Sequence, residues 1–159
     1  MSHQVHIYTD GAAKGNPGPA GYGVVMELVG TPYKKEFFEG FRLSTNNRME
    51  LLAVIVGLEK LKNPNMTVLV VSDSKYVVDA VEKKWVFGWE KKGFKGKKNP
   101  DLWIRFLKAY RKHQVDFKWI KGHNNHPQNE RCDELAVMAS QQAKLSIDTF
   151  YEKEEGKLL

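Results

Sequence analysis

The stretch that most restricts the possible folds is residues 66–71, a nearly continuous apolar run with the sequence Met-Thr-Val-Leu-Val-Val. A strand with one face in solvent alternates apolar and polar side chains, whereas this run is apolar at almost every position. Such a run is expected of a central parallel strand that is covered on both faces. It ends at Ser72-Asp73, and Ser74 is suited to cap a following helix. The sequence therefore predicts a sheet with helices packed on its two faces.

The rest of the chain supplies strands and helices in an order that defines the fold class. In chain order, the predicted elements are strands at residues 5–10, 21–29 and 33–43, a helix at 48–61, the strand at 66–71, a helix after Ser74, a helix at about 99–113, a strand at 115–120 and a helix from about 129. The first three strands are joined by short connections that contain Gly and Pro, which predicts an antiparallel meander. The predicted fold class is α/β, with a five-stranded mixed sheet (three antiparallel strands, then two parallel ones) flanked by helices.

The length of 159 residues corresponds to one domain, predicted over residues 1–145 and followed by a polar tail at 146–159 that is expected to be loosely held. No apolar run approaches the ~20 residues needed to cross a bilayer, and the N-terminus lacks a basic-then-apolar signal pattern. Neither membrane insertion nor export is therefore expected. Cys132 is the single cysteine and cannot form an internal disulfide, which indicates a reducing, cytoplasmic location.

The net charge of +6 is concentrated in one segment of the chain. Residues 83–98 contain seven lysines and one glutamate, which gives +6, and the charges of the other 143 residues sum to zero. A neutral body with one basic segment is typical of a protein that contacts a polyanion at a dedicated surface.

Four carboxylates, Asp10, Glu50, Asp73 and Asp133, lie at the ends of predicted elements. Each one alone has an ordinary structural explanation, as a turn residue or as an acid near a helix N-terminus. In an α/β sheet, however, such positions can converge at one edge, outside the ends of the strands. Four carboxylates at one edge would repel one another unless cations lay between them. Because carboxylate oxygens suit Mg²⁺ or Mn²⁺, the combination predicts a divalent metal site.

A zinc site is the alternative that His123, His126 and Cys132 raise, because they lie close together in the sequence. One cysteine and two histidines are too few for a closed zinc site without a fourth ligand. Cys132 also falls on the apolar stripe of the last predicted helix, which favours core packing. His126 is better explained as a residue that orders its loop.

Seven short motifs, in this order and at these intervals, resemble those of the bacterial type 1 ribonuclease H family. They are Tyr-Thr-Asp-Gly at 8–11, Gly-Asn-Pro-Gly at 15–18, Thr-Asn-Asn-Arg-Met-Glu-Leu at 45–51, Ser-Asp-Ser at 72–74, Asp-Leu-Trp at 101–103, Trp-Ile-Lys-Gly-His at 119–123 and Asn-Glu-Arg-Cys-Asp-Glu at 129–134. The resemblance covers essentially the whole chain. Several separate motifs in the right order are a more specific match than any one of them.

The resemblance implies a monomeric endonuclease that cuts the RNA strand of RNA–DNA hybrids and leaves 5′-phosphate and 3′-hydroxyl ends. By the family pattern, Asp10 bridges two Mg²⁺ ions (Mn²⁺ being a possible substitute) that are held when the substrate is bound. Asp133 shares one ion, and Glu50 and Asp73 hold the other. His123 matches the family's loop histidine, to which proton transfer or product release is attributed.

The same resemblance implies how the hybrid is bound. Residues 83–98 resemble the family's basic protrusion, in which lysines neutralise DNA phosphates. The residues implied in substrate binding are Asn16, Thr45, Asn46, Asn47, Arg48, Lys75, Trp85, Trp89, Lys91, Lys92, Lys95 and Lys97. The three asparagines correspond to contacts in the minor groove, where the 2′-hydroxyl distinguishes RNA. Thr45 and Arg48 correspond to a seat for a DNA phosphate, although Thr45 is equally suited to cap a helix.

Some of these residues depart from the family pattern or have a structural alternative. Lys75 stands where family members often carry glutamine, and Phe94 replaces a frequent tryptophan in the protrusion. Trp85 and Trp89 are expected to form a channel for the DNA strand, but their spacing of four also suits core packing, and at least one is expected to be partly core. The two other functions considered are a catalytically silent hybrid-binding module and an integrase-like nuclease of the same fold. The four carboxylates argue against the first, and the basic protrusion and the Lys-Gly-His loop argue against the second.

Overall fold

Five strands form one mixed sheet in the order β3-β2-β1-β4-β5. The computed structural model describes residues 2–122 and 124–155. The elements are β1 (Val5–Ala13), β2 (Gly18–Leu28), β3 (Lys34–Ser44), α1 (Asn46–Glu59), β4 (Thr67–Ser72), α2 (Lys75–Glu82), α3 (Trp85–Lys91), α4 (Pro100–Tyr110), β5 (Gln114–Trp119), α5 (Pro127–Ser140) and α6 (Thr149–Glu154). The pairs β1–β2 and β2–β3 are antiparallel, and β1–β4 and β4–β5 are parallel. The predicted fold class is confirmed.

The apolar run that predicted a doubly covered strand forms β4, which lies between β1 and β5. Val68 and Val70 are buried in the larger core cluster together with side chains of α1. Val71, which points to the opposite face, is buried in a second cluster with Cys132 and Leu135 of α5. The strand is therefore apolar at nearly every position because helices cover both of its faces.

The first strand does not end at Asp10, as the sequence analysis expected. It continues to Ala13, because β2 goes on pairing with it through Gly11↔Tyr22 to Ala13↔Ala20. Its pairing with β4, in contrast, ends at Thr9↔Ser72. Asp10 is thus the first residue of β1 beyond the carboxyl end of β4, and this places its side chain at the sheet edge where Asp73 follows β4.

The expectation of a loosely held tail is wrong for residues 146–155. The main chain of Ser146 pairs with β3, since its N–H donates to the carbonyl of Gly40 (2.9 Å) and its carbonyl accepts from Arg42 (3.0 Å). The short helix α6 follows, and two of its acids are buried against basic partners. Glu152 receives two hydrogen bonds from the Arg42 Nε and one from its Nη2, and Asp148 receives hydrogen bonds from Arg48. Composition suggested a solvated segment, but ion pairs to β3 and α1 hold it in place.

Arg48 joins three parts of the fold through its guanidinium group. It donates to Asp148 at the start of α6, to Asp101 in α4, and to the side-chain oxygen of Asn99, so that all five of its N–H groups are used. Burial alone would lower the pKa of Arg48, but the hydrogen bonds to Asp101 and Asp148 outweigh it and raise the pKa above its ordinary value. The guanidinium therefore remains charged and links α1, α4 and α6.

Replacing Asp148 with alanine is expected to destabilise the protein strongly. The carboxylate accepts hydrogen bonds from Arg48, from the Ser44 hydroxyl and from the Tyr151 N–H. Its loss leaves the buried guanidinium of Arg48 with one of its two carboxylate partners. Breaking one side of a buried ion pair costs about 3 kcal/mol, which corresponds to a fall in Tm of roughly 6–12 °C for a domain of this size. Thermal unfolding followed by circular dichroism measures the change. Glu154→Ala, which removes an exposed acid from the same helix, is the matched control and should shift Tm by little; equal Tm values for both variants would contradict the role given to Asp148.

None of the helices in the described part of the chain is both long enough and apolar enough to span a bilayer.

Candidate active site

Three of the four predicted carboxylates meet at one edge of the sheet. Asp10 lies in β1 just beyond the end of β4, Asp73 follows β4 directly, and Glu50 lies in the first turns of α1. Each offers one carboxylate oxygen, and these three oxygens lie within 4.8 Å of one another. The convergence expected from the positions of these residues at element ends is therefore present for Asp10, Glu50 and Asp73.

The close approach of α1 to β1 depends on Gly11. A Cβ atom at this position would lie 2.5 Å from the backbone nitrogen of Glu50 and 2.6 Å from the carbonyl carbon of Met49. Because both are backbone atoms, a larger residue would force the helix away from the strand. Gly11 also donates its N–H to Oδ1 of Asp10 (2.9 Å). The glycine thus brings the element carrying Glu50 against the residue carrying Asp10.

The cluster is electrostatically unfavourable as a set of free carboxylates. Asp10 is almost fully buried, and burial, together with the charges of Asp73 and Asp133, raises its pKa to about 8. Burial, followed by the charges of Asp10 and Asp73, also raises the pKa of Glu50 well above its ordinary value. At neutral pH Asp10 and Glu50 can both be ionised only if a cation offsets the repulsion within the cluster.

Two oxygens of the cluster lack hydrogen-bond partners within the described part of the chain. Oε1 of Glu50 and Oδ1 of Asp73 are shielded from solvent and accept no hydrogen bond. Buried polar atoms are nearly always satisfied, so unpaired carboxylate oxygens in an acidic cluster are typical of a site that binds a cation. Hard oxygen donors at these separations fit a divalent cation such as Mg²⁺ or Mn²⁺. The residues present therefore fit the metal site that the sequence predicted.

Asp133, the fourth predicted carboxylate, lies beside this cluster on α5. Its charge and its contact with the Asp10 side chain both raise the pKa of Asp10, so the two groups are neighbours. It is not among the three residues whose oxygens lie within 4.8 Å of one another. The structure thus arranges the predicted set as a tight group of three with one adjacent acid.

The residues that raised the zinc alternative have structural roles. His126 caps α5, since its Nδ1 accepts the N–H of Asn129 (3.3 Å), which confirms the expectation of a loop-ordering residue. Cys132 is fully buried in the core, and burial raises the pKa of its thiol. Core packing of Cys132 is confirmed. His123 lies outside the described residues.

A groove of about 670 Å³ lies at the start of α1, the helix that also carries Glu50, and collects several predicted substrate-binding residues. It is lined by Asn16, Thr45, Asn47, Lys97, Phe150, Tyr151 and Glu154, among others. The side chain of Asn16 accepts the N–H of Asn46 (3.0 Å), and that of Thr45 accepts the N–H of Arg48 (3.2 Å), so both also fix the start of α1. The α6 side chains in this groove were missed by the sequence analysis, because the tail carries no motif or periodic pattern.

Arg48 is not available to seat a phosphate, contrary to the expectation from the sequence. Its side chain is 3% exposed. Each of its five N–H groups already donates to Asp101, Asp148 or Asn99. An incoming phosphate would have to displace a carboxylate from a buried ion pair. Arg48 therefore stabilises the wall of the groove and does not bind a ligand in it.

The two tryptophans of the basic protrusion differ in their surroundings. Trp85 is 47% exposed, whereas Trp89 is half-buried and packs edge-on against Trp103 with ring centroids 5.7 Å apart. The expectation that at least one of them is partly core is confirmed by Trp89. Lys91, Lys92, Lys95 and Lys97 are exposed, and Phe94 is buried beneath them.

Lys75 and Trp119 lie next to Asp73. The Lys75 ammonium is 4.8 Å from the centroid of the Trp119 ring, and the indole N–H of Trp119 donates to the main-chain carbonyl of Asp73 (3.0 Å). Trp119 was not among the predicted site residues. Its place at the start of a recognised motif, near the end of a predicted strand, was the one signal that could have identified it.

Comparisons with known proteins agree with this geometry. The family model described as RNase H matches residues 2–141. The chain is 53% identical to "Ribonuclease H" of Desulforamulus reducens over 150 residues, which cover 91% of this chain and 92% of that protein. It is 49% identical to "Ribonuclease HI" of Shewanella oneidensis over 155 residues, 94% of this chain and 96% of that one.

Two solved structures are similar in fold as well as in sequence. LC9-RNase H1, described as a type 1 RNase H with the type 2 active-site motif, has a TM-score of 0.78 and 30% identity, and the match covers 99% of this chain and 83% of that one. LC11-RNase H1, solved in complex with an RNA/DNA hybrid, has a TM-score of 0.65 and 31% identity, with 87% of this chain and 98% of that one covered.

Proposed function

This chain belongs to the ribonuclease H family, and from that premise we propose that it is an endonuclease that hydrolyses the RNA strand of RNA–DNA hybrids. The observation that carries the proposal is the group formed by Asp10, Glu50 and Asp73, whose oxygens lie within 4.8 Å of one another. An acidic cluster alone would be compatible with many functions. Its position on a ribonuclease H fold, in a chain whose net charge lies in one lysine-rich segment, favours a nuclease.

The proposed cofactor is Mg²⁺, with two ions held in the presence of substrate and Mn²⁺ as a possible substitute. Asp10, Glu50, Asp73 and Asp133 would hold them, with Asp10 central because it adjoins both the other two members of the tight group and Asp133. When bound, the ions stabilise the charge that develops on the attacking and leaving oxygens of an in-line displacement.

In the proposed reaction a water oxygen forms a bond to phosphorus while the bond from phosphorus to the 3′ oxygen breaks. The water loses a proton and the leaving 3′ oxygen gains one, so the products are a 5′-phosphate and a 3′-hydroxyl. The carboxylates fix the geometry of the site, since pairing of β1 with β2 continues past Asp10 and the Gly11 N–H donates to its carboxylate at the sheet edge. His123 is assigned to proton transfer or to product release.

Recognition of the hybrid is proposed to depend on shape and charge rather than on base sequence. Asn46 and Asn47 begin α1, and Asn16, between β1 and β2, accepts the N–H of Asn46. All three would contact the minor groove, where the 2′-hydroxyl marks the RNA strand. Thr45 would contribute to a phosphate seat through the same segment. The protrusion at residues 83–98, with Trp85 and Trp89 at its base, would bind the DNA strand, and Lys75 would contact the hybrid close to Asp73.

We further propose that the enzyme acts as a monomer in a reducing, cytoplasmic setting. The catalytic unit proposed from the sequence, residues 1–145, is completed by residues 146–155, which pack against β3 and α1. The buried Cys132 thiol would then have no part in disulfide chemistry.

The experiment that tests this function compares three labelled substrates, namely an RNA–DNA hybrid, a duplex RNA and a duplex DNA. Each is incubated with Mg²⁺, with Mn²⁺ or with a chelator. We expect cleavage of the RNA strand of the hybrid alone, loss of cleavage on chelation, and products with 5′-phosphate and 3′-hydroxyl ends. Comparable cleavage of duplex DNA or duplex RNA would refute the proposed specificity, and binding of the hybrid without cleavage would favour a silent binding module.

A further inference from the structure

We propose that Trp119, the last residue of β5, and Gly122, in the segment between β5 and α5, are positioning residues that set the orientation of Asp73 in the metal centre. The inference deepens the proposed function and rests on it in one respect, because it treats Asp73 as a metal ligand. Neither residue is itself assigned a contact with substrate or with metal.

The first observation is that the Asp73 carboxylate is not oriented by a hydrogen bond at Oδ1. That atom is shielded from solvent and has no partner within the described residues, whereas Oδ1 of Asp10 accepts the N–H of Gly11. Asp73 also lies outside regular structure, between the last residue of β4 and the residue that caps α2. Its orientation must therefore come from its other neighbours.

Trp119 holds the main chain of Asp73. Pairing of β4 with β5 ends at Ser72↔Trp119, and the Ile120 N–H then donates to the carbonyl of Ser72 (3.0 Å). The indole N–H of Trp119 continues the pattern by one residue, since it donates to the carbonyl of Asp73 (3.0 Å). The indole thus replaces the missing strand partner at the point where the ladder has ended.

The side chain of Lys75 packs on the face of the Trp119 indole. The ammonium lies 4.8 Å from the Trp119 ring centroid, a separation typical of a cation–π contact. One edge of the indole is therefore fixed by Asp73, and its face is covered by the first residue of α2. Both contacts hold Trp119 in the rotamer that reaches the Asp73 carbonyl.

Gly122 borders the carboxylate itself. A Cβ atom at this position would lie 2.7 Å from Oδ2 of Asp73, 3.6 Å from its Cγ and 3.7 Å from its Cβ. The close atom is the end of a side chain, in contrast to Gly11, where a Cβ would meet backbone. A methyl group at residue 122 would therefore displace the carboxylate oxygen while leaving the fold largely undisturbed.

The segment that carries His123 is consequently coupled to a ligand of the metal centre. Contacts that orient a ligating group, without themselves touching the metal, typically change metal affinity by about 10–100-fold when removed. A glycine beside the carboxylate and an indole on its carbonyl are contacts of this kind. Movement of the segment would shift Asp73 and, with it, the affinity for the cation.

The direct test is titration of the metal-free Gly122→Ala variant with Mn²⁺, measured by isothermal calorimetry without nucleic acid. We expect the Kd for Mn²⁺ to rise by about 10–100-fold while the Tm of the metal-free protein stays close to that of the wild type. Gly88→Ala is the matched control for metal affinity, because a Cβ there meets no atom within 4 Å. Equal Mn²⁺ affinity in the two variants and the wild type would overturn the role of Gly122.

A double-mutant cycle separates an effect through Asp73 from a general disturbance. Once Asp73→Ala has removed the carboxylate, Gly122→Ala should weaken Mn²⁺ binding no further, because the methyl group then meets no oxygen. The same fold-loss in both backgrounds would show that Gly122 acts elsewhere. The rise in Tm on adding Mn²⁺ provides the affinity readout where calorimetric heats are small.

Trp119→Phe tests the second contact and keeps the proposal open to refutation should Gly122→Ala fail to fold. It retains an aromatic ring but removes the N–H that donates to Asp73. We expect about 3–10-fold weaker Mn²⁺ binding, in line with the loss of one hydrogen bond. Trp85→Phe, at a tryptophan of similar exposure (47% against 42%), is the control and should bind Mn²⁺ as the wild type does. Identical affinities for Trp119→Phe and Trp85→Phe would refute the positioning role of Trp119.

These measurements can refute the positioning role without refuting the proposed function, and the reverse also holds. If hybrid is cleaved in Mg²⁺ but both site variants bind Mn²⁺ normally, the function stands and the positioning role is wrong. If hybrid is not cleaved but the variants bind Mn²⁺ more weakly and the cycle is non-additive, Asp73 is positioned as described in a centre that serves another reaction.

Discussion

Asp10→Asn is expected to abolish hydrolysis of the RNA–DNA hybrid, lowering kcat on the order of 10³-fold or more, while the fold and hybrid binding persist. Asp10 adjoins every other acid of the site, so replacing its charge removes the group through which all proposed metal ligands are connected. Asparagine keeps the size of the side chain and an oxygen that can accept the Gly11 N–H. The measurement is single-turnover cleavage of a labelled hybrid in Mg²⁺, with hybrid binding measured in parallel. Cleavage at nearly the wild-type rate would refute the central role of Asp10.

The same substitution should stabilise the metal-free protein, and the gain should depend on pH. The pKa of Asp10 is about 8 in the fold against an ordinary value of 3.8, chiefly because of burial. A group whose pKa is raised by folding contributes stability that is fully present below its unfolded pKa and is lost as pH rises through the folded pKa. Wild type should therefore lose stability between about pH 4 and pH 8, and Asp10→Asn should lose less.

Thermal unfolding in a chelator from pH 4 to pH 9 measures this difference. We expect similar Tm values for the two proteins near pH 4, where Asp10 is protonated, and a Tm several degrees higher for Asp10→Asn at pH 9. Added Mg²⁺ should narrow the gap, because it stabilises the wild type by binding its folded state. A constant difference across the whole pH range would show that Asp10 is not the group that titrates.

The features that the sequence predicted well are those that a short stretch of chain encodes. The apolar run of β4 predicted a strand with two covered faces. The acids after β4 and near the start of α1 predicted positions at the edge of a sheet. Such inferences need only the period of the side chains and the general architecture of α/β proteins. Their weakness is that they give positions and not distances, so they could not separate the tight group of three from the adjacent Asp133.

The features that the sequence analysis missed depend on partners that are remote along the chain. Arg48 contacts Asp101 and Asp148, which are 53 and 100 residues away, and Trp119 contacts Asp73 at a separation of 46. An arginine next to a predicted active site looks like a phosphate ligand until its neighbours in space are known. The polar residues after 145 likewise look solvated, because the amino-acid sequence does not distinguish a buried acid from an exposed one. Ion pairs between distant segments leave no periodic trace from which they could be inferred.

Replacing Lys91, Lys92, Lys95 and Lys97 with alanine is expected to weaken hybrid binding on the order of 10²–10³-fold at low salt. The four side chains are exposed on one segment, and that segment carries the whole net charge of the protein. Each lysine that neutralises a phosphate releases a counterion, so affinity falls with salt in proportion to the number of such contacts. Removing all four should lower the slope of log Kd against log[salt] by up to about 4. Binding is best measured in the Asp10→Asn background, in which the hybrid remains intact.

The control must separate local contacts from general attraction by net charge. Replacing Lys60, Lys62, Lys108 and Lys112 with alanine changes the net charge from +6 to +2, as the protrusion variant does. Lys60 and Lys62 lie beyond the end of α1 that is opposite Glu50, and Lys108 and Lys112 lie near the end of α4. If attraction is only long-range, both variants lose affinity and salt dependence equally. If the protrusion contacts phosphates, the control keeps nearly the wild-type slope while the protrusion variant loses most of its salt dependence. In that case kcat at saturating hybrid should also remain near the wild-type value, because the lysines would contribute to binding of the DNA strand and not to the chemical step at the carboxylates.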